Sequence, residues 1–259
     1  MTAPDDQKSL VRSRFGRASE AYAASAIHAK GESLALLVEA VRPEKSWIAL
    51  DVATGAGHTA LAFAPRVARV VASDLTREMA ATAARLARGR ALANVSVAVA
   101  DAERLPFRSA AFDLVTCRLS FHHFSDQPAA LAEMARALKP GGTLGLVDNV
   151  AAAGGPIAAY LNRFEQLRDP SHVRLYPRDE LEALVREAGL SVICSEQLAK
   201  GTDFDDWADR MRATPVAKEE LRSMLWNAPE PLLASLAPRE EDGKLAFSLL
   251  EAVIVAKKH

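Results

Sequence analysis

Ile48-Ala-Leu-Asp-Val-Ala-Thr-Gly-Ala-Gly-His-Thr-Ala60 is the stretch on which the rest of the chain depends. It opens as an apolar run, turns at Asp51 and ends in small residues ahead of an alanine-rich segment. That order predicts a buried strand, a glycine turn and the start of a helix. Gly55 and Gly57 let backbone approach a ligand with no Cβ in the way. The helix that follows adds unpaired N–H groups at its N-terminus. Taken alone, Gly55-Ala-Gly57-His-Thr-Ala60 also fits the loose glycine pattern of dinucleotide sites, so it does not choose a ligand.

The flanking sequence narrows the reading. Asp51 lies four residues before Gly55. A second apolar run, Val67 to Ala72, ends at Ser73-Asp74, and a third, Val95 to Ala100, ends at Asp101-Ala102. A fourth, Phe112 to Thr116, ends near Cys117, and a fifth, Thr143 to Val147, follows Leu138-Lys-Pro-Gly-Gly142. Strands alternate with helices from Trp47 to Val150, which predicts a parallel sheet covered on both faces. Such open sheets bind ligands beyond the carboxyl ends of their strands. The acids and glycines fall at those ends, where packing has no use for them.

This ordered set resembles the class I S-adenosylmethionine-dependent methyltransferases. It is most similar to the small-molecule group related to the ubiquinone and menaquinone C-methyltransferases, over roughly residues 12 to 200. The resemblance implies an α/β fold with a doubly wound, seven-stranded, mostly parallel sheet of Rossmann-like methyltransferase type. It further implies a helical N-terminal lid, a helical insertion before the last strand, and a last strand inserted antiparallel between two earlier ones.

Composition sets outer bounds. A chain of 259 residues suits one large α/β core. The formal net charge of −1 gives no field to draw nucleic acid or an anionic membrane. Two cysteines, Cys117 and Cys194, make neither a disulfide framework nor a metal cluster, which fits a reduced, cytoplasmic setting. Met1 to Lys8 is polar and acidic, unlike a secretory signal, and no apolar run reaches the length of a membrane span. A monomer or homodimer is expected.

Along the chain, residues 1–45 form the lid segment. Residues 1–8 read as a disordered tail, Val11 to Tyr22 as one or two short helices, and Ala26 to Val41 as an amphipathic helix with Leu34, Leu36, Leu37 and Val41 on its apolar stripe. Residues 46–200 form the α/β core. It includes helices over Pro156–Leu167 and Pro177–Ala188, a polar loop at 168–174, a stop at Gly189 and a sixth strand over Leu190–Ser195. Residues 201–259 supply helices over 202–246 and a final strand within Ala246–Ala256, completing the same domain.

The carboxylate of Asp74 is placed to accept both hydroxyls of a ribose, or else to cap the helix beginning at Thr76. For Asp101-Ala102 the resemblance implies a contact to an adenine amino group and ring nitrogen; a solvated loop acid beside Glu103 is the competing reading. Leu75, Thr76 and Met79 would cover the adenine. By the same resemblance, Asp51 helps hold the ligand's amino group and shapes the loop. Gly55 and Gly57 pass the methionyl portion, Thr54 meets its carboxylate, and Cys117 and Arg118 present a backbone carbonyl to the amino group. The Cys117 side chain itself reads as packing. Phe15 and Tyr22 match aromatic lid positions, Tyr22 bringing a hydroxyl to the methionine carboxylate, or else both pack the helix down. His28 either faces the site or lies on the surface.

Phe121-His-His-Phe124 follows the fourth strand, beside the expected position of the methyl group. A neutral His122 or His123 can take a proton from a phenol, an acid or an activated carbon, or can simply cap the next turn. Asp169, His172 and Arg174, with Glu165, make a candidate acceptor cluster; a solvated loop competes. Trp207, Arg210 and Trp226 line a lid or pack in the core. No metal is expected, because adjacent histidines leave a regular element on different faces and no pair stands at ligand spacing.

The expectation is methyl transfer from S-adenosylmethionine, leaving S-adenosylhomocysteine, to carbon or oxygen of a small quinone-like, phenolic or secondary-metabolite acceptor. Two rivals stand. An NAD(P)-dependent oxidoreductase shares the glycine turn and Asp74 but leaves Asp101-Ala102 unexplained. A non-catalytic partner protein of the same fold would have no use for Asp51, Gly55, Gly57, Asp74 and Asp101 together.

Overall fold

A computed structural model of the protein describes residues 4–24 and 31–259. His28, and the start of the helix expected from Ala26, lie outside the described residues. The helix itself is described as α2, Glu32–Val41, following the N-terminal α1, Pro4–Ala24.

The quoted stretch folds as β1, Ile48–Val52, then a turn, then α3, His58–Phe63. β2 (Arg69–Asp74), α4 (Arg77–Gly89), β3 (Val95–Val99), β4 (Phe112–Arg118), α5 (Gln127–Ala137) and β5 (Leu138–Val150) complete the alternating part. β5 begins earlier than the apolar run suggests, because Leu138 already pairs with Phe112 across a register shift. After it come α6 (Pro156–Arg168), α7 (Arg178–Glu187) and β6 (Leu190–Asp203). Three helices, α8 (Phe204–Arg210), α9 (Pro215–Trp226) and α10 (Glu230–Leu236), precede the short β7 (Arg239–Glu241) and the long β8 (Lys244–Lys258).

Seven strands lie in the order β3-β2-β1-β4-β5-β8-β6, with β7 paired on β8 outside that path. β1 to β5 are mutually parallel; β8 runs antiparallel between β5 and β6. The sheet is thus mostly parallel and doubly wound. On one face Leu131 and Met134 of α5 and Leu181 and Val185 of α7 pack on Leu144, Leu146 and Ile254. On the other, Leu37 and Val41 of α2 and Phe63 of α3 pack on Val147, Val253 and Val255. A separate cluster joins Phe164 of α6, Trp207, Leu221 and Leu232 to Phe247 near the start of β8.

The N-terminal reading needs correction. Residues expected to be a tail and then short helices form one continuous helix from Pro4. Its first turns have tertiary partners: the Gln7 amide donates to the Ser171 carbonyl at 2.6 Å, and the Lys8 ammonium bridges Asp101 (2.8 Å) and Glu103 (2.6 Å). Farther along, Glu20 pairs with Arg85 of α4.

Candidate active site

The carboxyl ends of β1 to β4 open into one cavity, about 930 Å³ counted out to solvent at its mouth, with α1 laid over it. Two turn residues in its wall, Ala53 and Leu119, hold positive φ of 50° and 55° although neither is glycine. Such backbone costs on the order of 1 kcal/mol each and persists where surrounding structure demands it. Here it swings the chain aside at the tips of β1 and β4.

Asp51 is 2% exposed and fully engaged inside the turn. It accepts hydrogen bonds from the Thr54 hydroxyl, the Ala60 N–H at 3.1 Å and the Thr116 hydroxyl at 2.7 Å. Burial pushes its carboxyl up to about 6, against the lowering effect of those donors. Asp51 itself is absent from the cavity wall; its contact is with the loop that lines it.

Asp74, at the tip of β2, does reach the wall. One oxygen accepts the Gly55 N–H and the other the Thr76 N–H, both at 2.8 Å, and burial raises its carboxyl. Gly55, Leu75, Thr76, Met79 and Ala102 line the same cavity, as do Thr54, Tyr22, Phe15 and Arg118. Asp101 lines it too, at the end closed by Lys8, and also accepts the Glu103 N–H at 3.0 Å.

Besides Asp51, the expected residues Gly57, Cys117, His122 and His172 are absent from that wall. Gly57 is not in the wall: a Cβ there would stand 2.9 Å from the Ala83 Cβ, so the glycine lets α3 sit against α4. Cys117 is fully buried in the core, and burial drives its thiol well up. Its neighbour Arg118 donates from Nε to the Thr59 hydroxyl at 3.0 Å.

The double histidine forms a short 3₁₀ turn after β4. The His122 N–H and Nδ1 both donate to Asp148, at 2.8 and 2.6 Å. Burial pushes the His122 ring down, but the charge and hydrogen bond of Asp148, with Glu165 and Asp169, leave it raised above its usual value. His123 lines the cavity, with its Nδ1 donating to the Ser171 carbonyl at 3.0 Å and its ring edge-on to Phe15. Burial and the nearby His122 lower it to about 4. The two rings are 4.1 Å apart between centroids.

The loop expected to be either solvated or an acceptor cluster divides. Asp169, Ser171 and His172 are buried, as is Glu165. His172 Nε2 bonds the Asn162 side chain at 2.7 Å, and burial and the neighbouring histidines drive its ring far down. Arg174 instead points outward, pairing with Glu180 and lying over Tyr176. Trp207 is core, stacked on Phe164 with Arg168 over its ring; Trp226 is half exposed.

Three residues went unnoticed in the sequence. Asp148 ends an apolar run in the same way as Asp51, Asp74 and Asp101, a signal that was there to use. Lys8 carried no signal, standing in a polar segment. His58 stands directly after the second glycine, and its Nε2 donates to the Tyr22 carbonyl at 2.9 Å.

A family model described as a methyltransferase domain matches residues 50–146. The uncharacterized methyltransferase YcgJ of Bacillus subtilis is 35% identical over 206 residues, 80% of this chain and 81% of its own. A demethylmenaquinone methyltransferase of Thermus thermophilus is 38% identical over 165 residues, 55% of this chain and 74% of its own. A solved structure described as a methyltransferase, from Bacillus halodurans C-125, superposes with a TM-score of 0.83 at 35% identity, covering 88% of this chain and 99% of that one. Sequence motifs, strand order and these likenesses converge: the chain belongs to the class I S-adenosylmethionine-dependent methyltransferases.

Proposed function

We propose that the cavity beneath α1 holds S-adenosylmethionine and that the protein methylates carbon or oxygen of a small organic acceptor, of quinone-like or phenolic type. The observation that carries the cofactor reading is the set of acids at successive strand tips in one wall: Asp74 ending β2 and Asp101 after β3. Buried polar atoms in that wall, His58 Nδ1 and the Ser125 hydroxyl among them, have no partner among the described residues. Unpartnered buried polar atoms are costly, so a ligand with polar groups at both ends suits the cavity.

In this reading Asp74 accepts the ribose hydroxyls through the lone pairs that the Gly55 and Thr76 N–H groups leave open. Asp101 and Ala102 meet the adenine edge, and Leu75, Thr76 and Met79 cover its face. Asp51 holds the Thr54–Gly55 turn in shape. Tyr22 and Phe15 of α1 close the lid over the cavity. Bound cofactor supplies an electrophilic methyl group on a sulfonium, so the protein's task is positioning, exclusion of water and custody of the acceptor's proton. We assign that proton to His122, which is not itself in the wall but whose ring lies 4.1 Å from that of His123, which is: Asp148 fixes Nδ1 as the protonated nitrogen, leaves Nε2 as the basic one, and stabilises the imidazolium that results.

Calorimetric titration with S-adenosylhomocysteine, with NADH as control, tests the cofactor. Binding of the former alone is expected, and Asp74→Asn should weaken it at least about tenfold with an unchanged circular dichroism spectrum, as expected for loss of a charge-assisted hydrogen bond. Binding of NADH alone would transfer the site to the dehydrogenase reading.

A further inference from the structure

We infer that His58 reads the amino group of the cofactor's amino-acid end while the same ring holds the lid helix, so that ligand and lid meet on one imidazole. The inference rests on the cofactor reading above.

His58 Nε2 lies 2.9 Å from the backbone carbonyl of Tyr22, near the end of α1. A carbonyl oxygen has no proton to give, so Nε2 carries the hydrogen. Burial, with Arg118 and Arg90 adding positive charge, pushes the ring below its ordinary value despite the Tyr22 carbonyl, and keeps it neutral. Nδ1 is therefore a bare lone pair. It is buried and has no hydrogen-bond partner among the described residues, in a residue only 7% exposed that lines the cavity. A packing role does not account for this, since a phenyl ring would fill the volume without stranding an acceptor.

Because His58 lines the cavity, a ligand there can supply the missing donor. Around His58 the wall presents Thr54, Thr59 and Arg118. The guanidinium suits a carboxylate and the bare nitrogen suits an ammonium, a pairing that describes an α-amino acid. The ligand's other donors are already placed: ribose hydroxyls at Asp74 and the adenine amino group at Asp101. The amino group is the donor left for His58, beside the backbone carbonyl after β4 that the resemblance implies for the same group. Because Nε2 grips Tyr22 at the same time, occupancy of Nδ1 orients the ring that anchors the end of α1.

A four-way titration tests the assignment: wild type and His58→Phe, each with S-adenosylhomocysteine and with its desamino analogue. Removal of the amino group should cost wild type about tenfold more affinity than it costs His58→Phe, a coupling near 1.4 kcal/mol for that tenfold. Binding of 5′-methylthioadenosine, which lacks the amino-acid end, reads the cost of the lost Tyr22 contact in His58→Phe by itself, apart from the coupling. Wild type also gives a direct signature: the ¹⁵N resonance of His58 Nδ1 should shift on addition of S-adenosylhomocysteine and stay put with methylthioadenosine. That measurement needs no variant, should His58→Phe fold poorly. Tight binding with zero coupling, or with an unmoved Nδ1 resonance, would overturn the role of His58 alone. Absence of any S-adenosylhomocysteine binding by wild type would overturn the cofactor reading and this one with it.

Discussion

Gly55 and Gly57 stand two residues apart in one turn, yet different forces require them. Gly55 lines the cavity with φ +55°, and a Cβ there would meet open space. Gly57 has φ +91° and faces the α4 backbone, with Ala83 Cα 3.2 Å from a built Cβ. Gly57→Ala should therefore cost stability, about 1–3 kcal/mol from combined strain and overpacking, in urea unfolding. Equal midpoints for variant and wild type would remove the packing account. His122 and Asp148 carry a prediction in pH. The raised imidazole must be neutral to accept a proton, so kcat/KM falls as pH drops through a value above the ordinary 6.5. Asp148→Asn removes the raising charge and should move that acid limb downward. His122→Asn should cut kcat by roughly 10²-fold or more while leaving S-adenosylhomocysteine affinity near wild type, the size of a general-base contribution. An acid limb that stays in place in Asp148→Asn would separate the aspartate from the chemistry.

At the scale of elements, α1 is the part whose behaviour was least visible in the chain. Its stretch from Pro4 to Lys8 looks like a solvated tail because its stabilisers are remote: Ser171 for Gln7, Asp101 and Glu103 for Lys8. Helix propensity is a weak prior, and tertiary partners overrode it here. The Lys8 bridge sits over the proposed adenine end. Its side chain is 17% exposed, so the pair is partly screened and worth on the order of 1 kcal/mol. Lys8→Met should then speed S-adenosylhomocysteine dissociation about fivefold in stopped-flow measurements, with a weaker salt dependence. An unchanged dissociation rate in that variant would mean that α1 does not gate the cavity.

For the molecule as a whole, β8 is decisive although it comes last in sequence. It lies between β5 and β6, and Ala252, Val253, Ile254, Val255 and Ala256 are all at 0% exposure. Burying three branched side chains alone contributes roughly 5–9 kcal/mol, comparable with the net stability of a typical domain. A chain ended after Asp203 keeps the whole region matched by the family model, residues 50–146. It should nonetheless fail to unfold cooperatively in calorimetry, since β5 and β6 would lose their common neighbour. A native-like transition in that truncation would show that the helices and β8 are an appendage.

Much was legible in the chain by itself. Apolar runs ending in Asp51, Asp74 and Asp101, with glycines between, determined the strand sequence, the parallel sheet and the family, because those features rest on local periodicity and on side chains that a buried strand end does not otherwise need. The antiparallel last strand followed from the resemblance. What only the tertiary structure decided is which atoms face the cavity. Asp51 turns inward to Thr54, Thr116 and Ala60, whereas Asp74 reaches the wall. Glu165, Asp169 and His172 are buried among partners while Arg174, two residues on from His172, is outside. The physical reason is common to all of these. Burial and hydrogen bonding of a polar side chain are set by groups distant in sequence, as with His58 and the Tyr22 carbonyl, and no local pattern of residue types encodes that approach.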